Sequence, residues 1–140
     1  MASKGLMIAG LASGSGKTTV TLGLLRALAR RGKAPAAGKT GPDYIDPGFL
    51  SAAAGRKAVN LDQFAMSKLL LAHLAADQAG DTLIIEGVMG LFDGASGSAG
   101  SSAALAEALD IPVILVMDIR HTAQTAAMIA AGIAGLLPAG

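Results

Sequence analysis

Residues 83–85 (LII) and 112–117 (PVILVM) of this chain carry no polar side chain at all. A strand with one face in water alternates polar and apolar residues; a strand without that alternation is covered on both faces. Residues 6–9 (LMIA) are a shorter run of the same kind, and residues 34–39 are a weaker strand candidate. The first strong run lies within a strand predicted over 81–86. Helical spacings fall between the runs. Residues 17–31 place Val20, Leu24, Leu25 and Leu28 at helical intervals. Arg30 and Arg31 suit the negative end of that helix, and Gly32 suits the residue just beyond it. Residues 49–54 read as a short helix. Residues 62–79 read as a longer one with Phe64, Leu70, Leu71 and Leu74 on its apolar side, and 103–109 and 122–136 as two more. Residues 41–46 and 87–102, rich in Gly with Pro or Ser, are loops. Buried strands alternating with helices predict an α/β fold of three layers, with a mainly parallel sheet of about four strands and right-handed crossovers. No repeat or linker divides residues 1–140, so they form one domain.

Composition narrows what such a domain can be. The chain is 52% hydrophobic yet has 3 Phe, 1 Tyr and no Trp, so Ala, Leu, Ile, Val and Met fill its core. A net charge of +1 gives no broad basic field for a nucleic-acid backbone. The absence of Cys excludes disulfides, thiolate metal sites and a Cys nucleophile within these residues. The longest apolar stretch, 126–138, is shorter than the ~20 residues that span a bilayer, and no signal-peptide core opens the chain. A cytoplasmic protein without a nucleic-acid or membrane partner is expected. The sequence stops after a helix with no strand to use the crossover, as an N-terminal piece of a longer protein would. Such a piece is expected to aggregate or form a homodimer through an open sheet edge or apolar face.

The sharpest chemical signal is Gly10-Leu-Ala-Ser-Gly-Ser-Gly-Lys17-Thr18-Thr19, entered by a strand and left by a helix. That context is what a phosphate-binding P-loop requires. Small residues let successive backbone N–H groups curl around phosphate oxygens, and the helix start adds free donors and a positive dipole end. Lys17 reaches the β- and γ-phosphates, and the Thr18 hydroxyl suits Mg²⁺. The plain pattern has its first Gly six residues before the Lys, where Leu11 stands here; Gly10 lies seven before.

Further polar residues follow the other strands, where the ligand crevice of an open α/β sheet lies. Glu86 ends an apolar strand in the manner of a Walker-B acid, able to hold Mg²⁺ or its water. Asp43 and Asp46 either complete a metal shell, contact a substrate or serve the turn. Lys39 either neutralises a phosphate or carboxylate or lies solvated on the surface. Asp93 is a substrate-loop residue or a turn former. Asp118 reads as a cap for the following helix. His73 and His121 read as structural or exposed.

Together GLASGSGKTTVTLGLLRAL, KTGPDYIDPGFL, VNLD, IEGVMGLFDG, GSSAALAEAL and PVILVMD resemble the N-terminal domain of the cobyrinic and hydrogenobyrinic acid a,c-diamide synthase family. The longer loop is similar to that of dethiobiotin synthetase, a relative that also activates a carboxylate with ATP. The resemblance covers essentially the whole chain. It implies a dethiobiotin-synthetase-like P-loop NTPase domain that amidates the a and c acetates of a corrinoid with ATP and Mg²⁺. The route is an acyl phosphate, and ammonia comes from a C-terminal glutaminase domain. It implies that Gly14, Ser15, Gly16, Lys17, Thr18 and Thr19 hold phosphates, and that Thr18, Asp43 and Glu86 form the Mg²⁺ shell. Lys39 would stabilise the transferring phosphoryl group, Asp46 and Asp93 would line the substrate side, and Lys17 would act in catalysis. Adenine contacts would lie beyond residue 140.

Related readings are a nickel-sirohydrochlorin a,c-diamide synthase, a cobyric acid synthase and dethiobiotin synthetase itself, the last disfavoured by DYIDP. A regulatory ATPase of the septum-site or chromosome-partition type carries an extra Lys five residues before the P-loop Lys. Ala12 stands there in this chain.

Overall fold

A computed structural model describes residues 5–136 except Ala79 and Ser98. The chain runs β1 (Gly5–Gly10), α1 (Lys17–Arg30), β2 (Pro35–Thr40), α2 (Asp46–Ala54), β3 (Val59–Leu61), α3 (Lys68–Ala76), β4 (Thr82–Glu86), α4 (Ser102–Leu109), β5 (Val113–Val116) and α5 (Gln124–Ala134). The strands form one five-stranded sheet in the order β3-β2-β4-β1-β5, every pairing parallel.

The two apolar faces of the strands build two cores. Met7, Ala36, Leu83 and Ile85 face α3 and α4, where Leu71, Leu105 and Leu109 meet them. Their chain neighbours Ile8, Ala37 and Ile84 point the other way, onto Leu25 of α1 and Leu50 of α2. This is the physical reason the strand sequences do not alternate: both sides are dry. Helices α1 and α2 therefore lie on one face, and α3 and α4 on the other. The adjacent strands β1 and β4 lead into helices on opposite faces, which opens a crevice above their carboxyl ends.

Local chemistry sets the helix ends. Gly32, at φ 74°, follows α1 in the left-handed region. Lys33 N–H donates to Leu28 O and Gly32 N–H to Ala29 O, both at 3.1 Å. Two of the orphan carbonyls of α1 are satisfied in this way. Ser67 caps α3 by accepting from Leu70 N–H, and Ser101 caps α4 by accepting from Ala104 N–H at 3.1 Å. Ser101 is fully buried, so water cannot replace its hydroxyl. Ser101→Ala is expected to cost about 1–2 kcal/mol, read as a drop of a few degrees in a thermal melt.

Several sequence expectations need correction. The sheet has five strands rather than about four, because Val59–Leu61 pairs with β2. The helix predicted over 62–79 is α3, Lys68–Ala76; Ala79 lies outside the described residues. Asp62 Oδ1 instead accepts from Phe64 N–H at 2.9 Å and holds a turn there. Phe64 and Leu70 are consequently exposed, while Leu71 is buried. Helix α2 begins earlier than expected, at Asp46, and α5 is shorter, Gln124–Ala134. Val20 of α1 is exposed. The β5 strand is wholly apolar yet forms the sheet's edge, and its Ile114 is 47% exposed. No described residue of α5 is buried. Among the described residues, no helix is long and apolar enough to cross a membrane.

Candidate phosphate and carboxylate site

The first strand delivers the chain into a tight loop. A Cβ added at Gly10 would stand 2.2 Å from Ser15 Oγ and 3.0 Å from Lys17 Cγ. The loop folds back over the strand end, and only glycine leaves room for it. That contact accounts for a Gly seven residues before the Lys. Gly14 and Gly16, at φ 76° and 93°, make the remaining reversals. The Ser15 hydroxyl donates to Ala12 O at 2.9 Å, and Lys17 Nζ donates to the same oxygen at 2.7 Å. Helix α1 starts with no side-chain cap and no acid in its first turn, so its first N–H groups are free to face an anion. Gly14, Gly16, Lys17, Thr18 and Thr19 line a hollow of about 240 Å³ there. Burial, with the nearby charge of Lys39, pushes the Lys17 ammonium below its ordinary pKa.

The second, third and fourth expected groups meet beside that loop. Lys39, at the end of β2, is 3% exposed. Its Nζ lies 2.7 Å from Asp46 Oδ2, 3.2 Å from Glu86 Oε1 and 3.9 Å from Asp43 Oδ2. The solvated-surface reading of Lys39 is therefore wrong. Thr18 donates its hydroxyl proton to Glu86 Oε1 at 2.5 Å. Glu86 is fully buried, and its Oε2 has no hydrogen-bond partner among the described residues. Lys17, Thr18, Lys39, Asp43, Asp46 and Glu86 all border one cavity of about 250 Å³.

The turn reading of Asp43 holds. Its Oδ1 accepts from Ile45 N–H at 2.8 Å and Asp46 N–H at 2.9 Å, which builds the turn, while Oδ2 faces Lys39. Burial works against its ionised form. The Asp46 and Ile45 amides and the Lys39 charge outweigh that, so its carboxyl titrates below the usual range. Asp93 accepts from Gly90 N–H at 2.8 Å and shapes the loop after β4. It lines neither this cavity nor the larger one beside it. Asp118 does not cap α5, which begins at Gln124. It binds the Arg120 side chain and amide instead, and its pKa falls to about 2. His73 and His121 are exposed.

A second cavity, of about 550 Å³, adjoins the first through Asp43, Val88 and Met89. Its lining is mostly apolar, with Tyr44 and Ile45 on one side and Phe64 and Gly100 on the other. Tyr44, Phe64 and Met89 are exposed. In a chain with four aromatic residues, two are thus placed at one opening rather than in the core. Sequence reading missed Asn60, Gln63, Phe64 and Gly100 as parts of this site. The constraint on Gly100 is visible only in the fold, where its φ of 76° and the Phe64 ring over it exclude a side chain.

The donor set suits a small hard cation. A buried carboxylate oxygen without a partner is costly, and Glu86 Oε2 is such an atom beside the Thr18 hydroxyl. Because Thr18 gives its proton to Glu86, its lone pairs remain available to a metal. Among the described residues no group of three or more His, Cys, Asp or Glu side chains gathers to hold a metal. Mg²⁺ needs no such cage, since it keeps waters and phosphate oxygens as ligands.

A glycine-rich turn between strand and helix, with a lysine inside it and a buried acid on the neighbouring strand, defines a P-loop nucleotide-binding domain of the α/β class. The chain belongs to the CbiA family, the CobQ/CobB/MinD/ParA nucleotide binding domain, whose family model matches residues 6–137. It is 52% identical over 139 residues to a hydrogenobyrinate a,c-diamide synthase of Mesorhizobium japonicum, covering 96% of this chain and 32% of that relative. It is 54% identical over 132 residues to the enzyme of the same name from Rhizobium meliloti, covering 93% and 31%. For that of Brucella anthropi the identity is 53% over 132 residues, covering 92% and 30%. The chain thus spans about a third of the length of these relatives.

Proposed function

We propose that this chain is the ATP-binding, carboxylate-activating part of a synthase that amidates the a and c acetates of hydrogenobyrinic or cobyrinic acid. The observation that carries the reading is Lys39. It is a buried ammonium held by Asp46 and Glu86 beside the P-loop, in a cavity continuous with an apolar one wide enough to take part of a large ring. A regulatory switch has no need of a second, apolar cavity opening on the phosphate site.

In the proposed reaction Lys17 and the α1 amides draw charge from the β- and γ-phosphates. Thr18 and Glu86, with Asp43 nearby, would hold Mg²⁺, which supplies charge neutralisation across the phosphate oxygens. A substrate carboxylate oxygen attacks the γ-phosphorus and the bond to the ADP oxygen breaks. Lys39 faces both the incoming carboxylate and the phosphoryl oxygens as negative charge gathers between them. The acyl phosphate then meets ammonia. Nitrogen adds at the acyl carbon, phosphate leaves and a proton is lost, giving the amide. With the ring seated against it, the apolar lining would exclude water, the competing nucleophile. The ammonia would come from glutamine through a region of the longer protein beyond these residues. The test is to supply the full-length protein with hydrogenobyrinic acid, ATP, Mg²⁺ and glutamine, and follow products by mass spectrometry. Mono- and diamide are expected; ATP turnover without any amide would overturn the proposal.

A further inference from the structure

We propose that Asn60 is a positioning residue for the organic acid, because its side-chain amide fixes the loop that carries both the polar site and one wall of the apolar cavity. The proposal takes the identity of the acid from the function proposed above. Asn60 is the middle residue of the edge strand β3 and pairs in register with Lys39 of β2. Its Nδ2 donates to two backbone oxygens across the gap, Gly41 O at 3.0 Å and Asp43 O at 2.7 Å. Both protons of the amide are used.

The loop between β2 and α2 has little else to hold it. Its tip residues Tyr44 and Ile45 are 93% and 71% exposed, so no apolar packing anchors them. Among the described residues its other backbone ties to neighbouring elements are Gly41 N–H on Leu61 O, at 2.9 Å, and Gly48 N–H of α2 on Ile45 O, at 3.1 Å. Yet this loop carries Asp43, leads directly to Asp46 and presents Tyr44 and Ile45 to the cavity. Displacing it moves the partners of Lys39 and widens the cavity in one motion. The phosphate hollow of α1 is lined by Gly14, Gly16, Lys17, Thr18 and Thr19, none of them on this loop. Gln63, a few residues on, makes the matching tie to the opposite wall, donating to Ser101 O at 2.9 Å.

The experiment uses the full-length protein with Asn60→Ala, Asn60→Asp and Gln63→Ala. Hydrogen exchange reads the loop directly. The Ile45 and Asp46 amides, which bond to Asp43 Oδ1, are expected to exchange about tenfold faster in Asn60→Ala, as loss of both hydrogen bonds implies. They are expected to stay at the wild-type rate in Gln63→Ala. Steady-state assays are expected to show a rise of about tenfold in KM for the corrinoid acid, with KM for ATP within about twofold. A merely structural role would not separate the two substrates. Asn60→Asp sets a carboxylate against two carbonyl oxygens and is expected to act more strongly; should it fail to fold, the alanine variant carries the test. Unchanged exchange at residues 45 and 46, or parallel rises in both KM values, overturns the role of Asn60. If the wild type makes no amide, the functional reading falls, and the exchange measurement still decides on Asn60.

Discussion

Lys17→Ala is expected to lower ATP-dependent turnover by about 10²–10³-fold, the range found when one preorganised donor to a developing charge is removed. The structure separates this loss from a folding defect. Among the described residues the side chain hydrogen-bonds to Ala12 O alone, and that oxygen keeps the Ser15 hydroxyl as a second donor. The loop can hold its shape without the ammonium. Lys17→Met, which keeps most of the stem packed against Gly10, is expected to fold like wild type and still fail in turnover. A fluorescent-nucleotide titration beside a turnover assay checks both variants, and turnover within about threefold of wild type would refute the role. A pH effect follows from the same geometry. The pKa of Lys17 is lowered, mainly by burial. Its positive charge is therefore lost, as pH rises, sooner than from a free lysine. Triphosphate affinity is expected to decline on the alkaline side in the wild type and to lose that dependence in Lys17→Met.

Glu86→Gln is expected to remove the metal dependence of nucleotide binding and to cut turnover by about 10²-fold. The substitution keeps shape and packing in a fully buried position. An amide oxygen at Oε1 can still accept from Thr18 and Lys39. The change falls on the other atom: the unpartnered acceptor Oε2 becomes an amide nitrogen, a donor aimed where a cation would sit. Removing one partner of a buried ion pair costs about 3–5 kcal/mol where the survivor is left alone. Here Lys39 keeps Asp46 at 2.7 Å, so a smaller loss of stability is expected. Titrating nucleotide with and without Mg²⁺ reads the effect. A variant that gains as much from Mg²⁺ as the wild type would exclude Glu86 from the metal shell.

What the sequence disclosed followed from local chemistry. The P-loop, the strand-end acids and the Gly32 helix stop are short-range signals, and the structure has them where they were expected. The strands β1 and β4 were legible because both of their faces are dry. Strand β3 was not, since three residues, Val59–Leu61, cannot show a period. The start of α3 was misread for a traceable reason. Phe64 looked like the first residue of an apolar stripe, but Asp62 folds a turn beneath it and its ring lies on Gly100, far along the chain. Without Phe64 the stripe changes phase, and Leu70 moves to the outside. The burial of Lys39 was equally hidden. A lysine after a weak strand looks like surface until Asp46 and Glu86 arrive from two other elements.

The two cores share nothing but the sheet between them. Helices α1 and α2 rest on one, α3 and α4 on the other. One rim of the apolar cavity, Tyr44 and Ile45, precedes α2; the opposite rim, Phe64 and Gly100, precedes α3 and α4. The cavity's width is therefore a caliper reading between two independently packed bodies. Under the proposed function, repacking on the α3 and α4 side would re-gauge that opening for a bulkier or slimmer acid while the P-loop on the α1 side stays in place. A scaffold divided in this way would let selection change what is activated without disturbing how the proposed activation is powered.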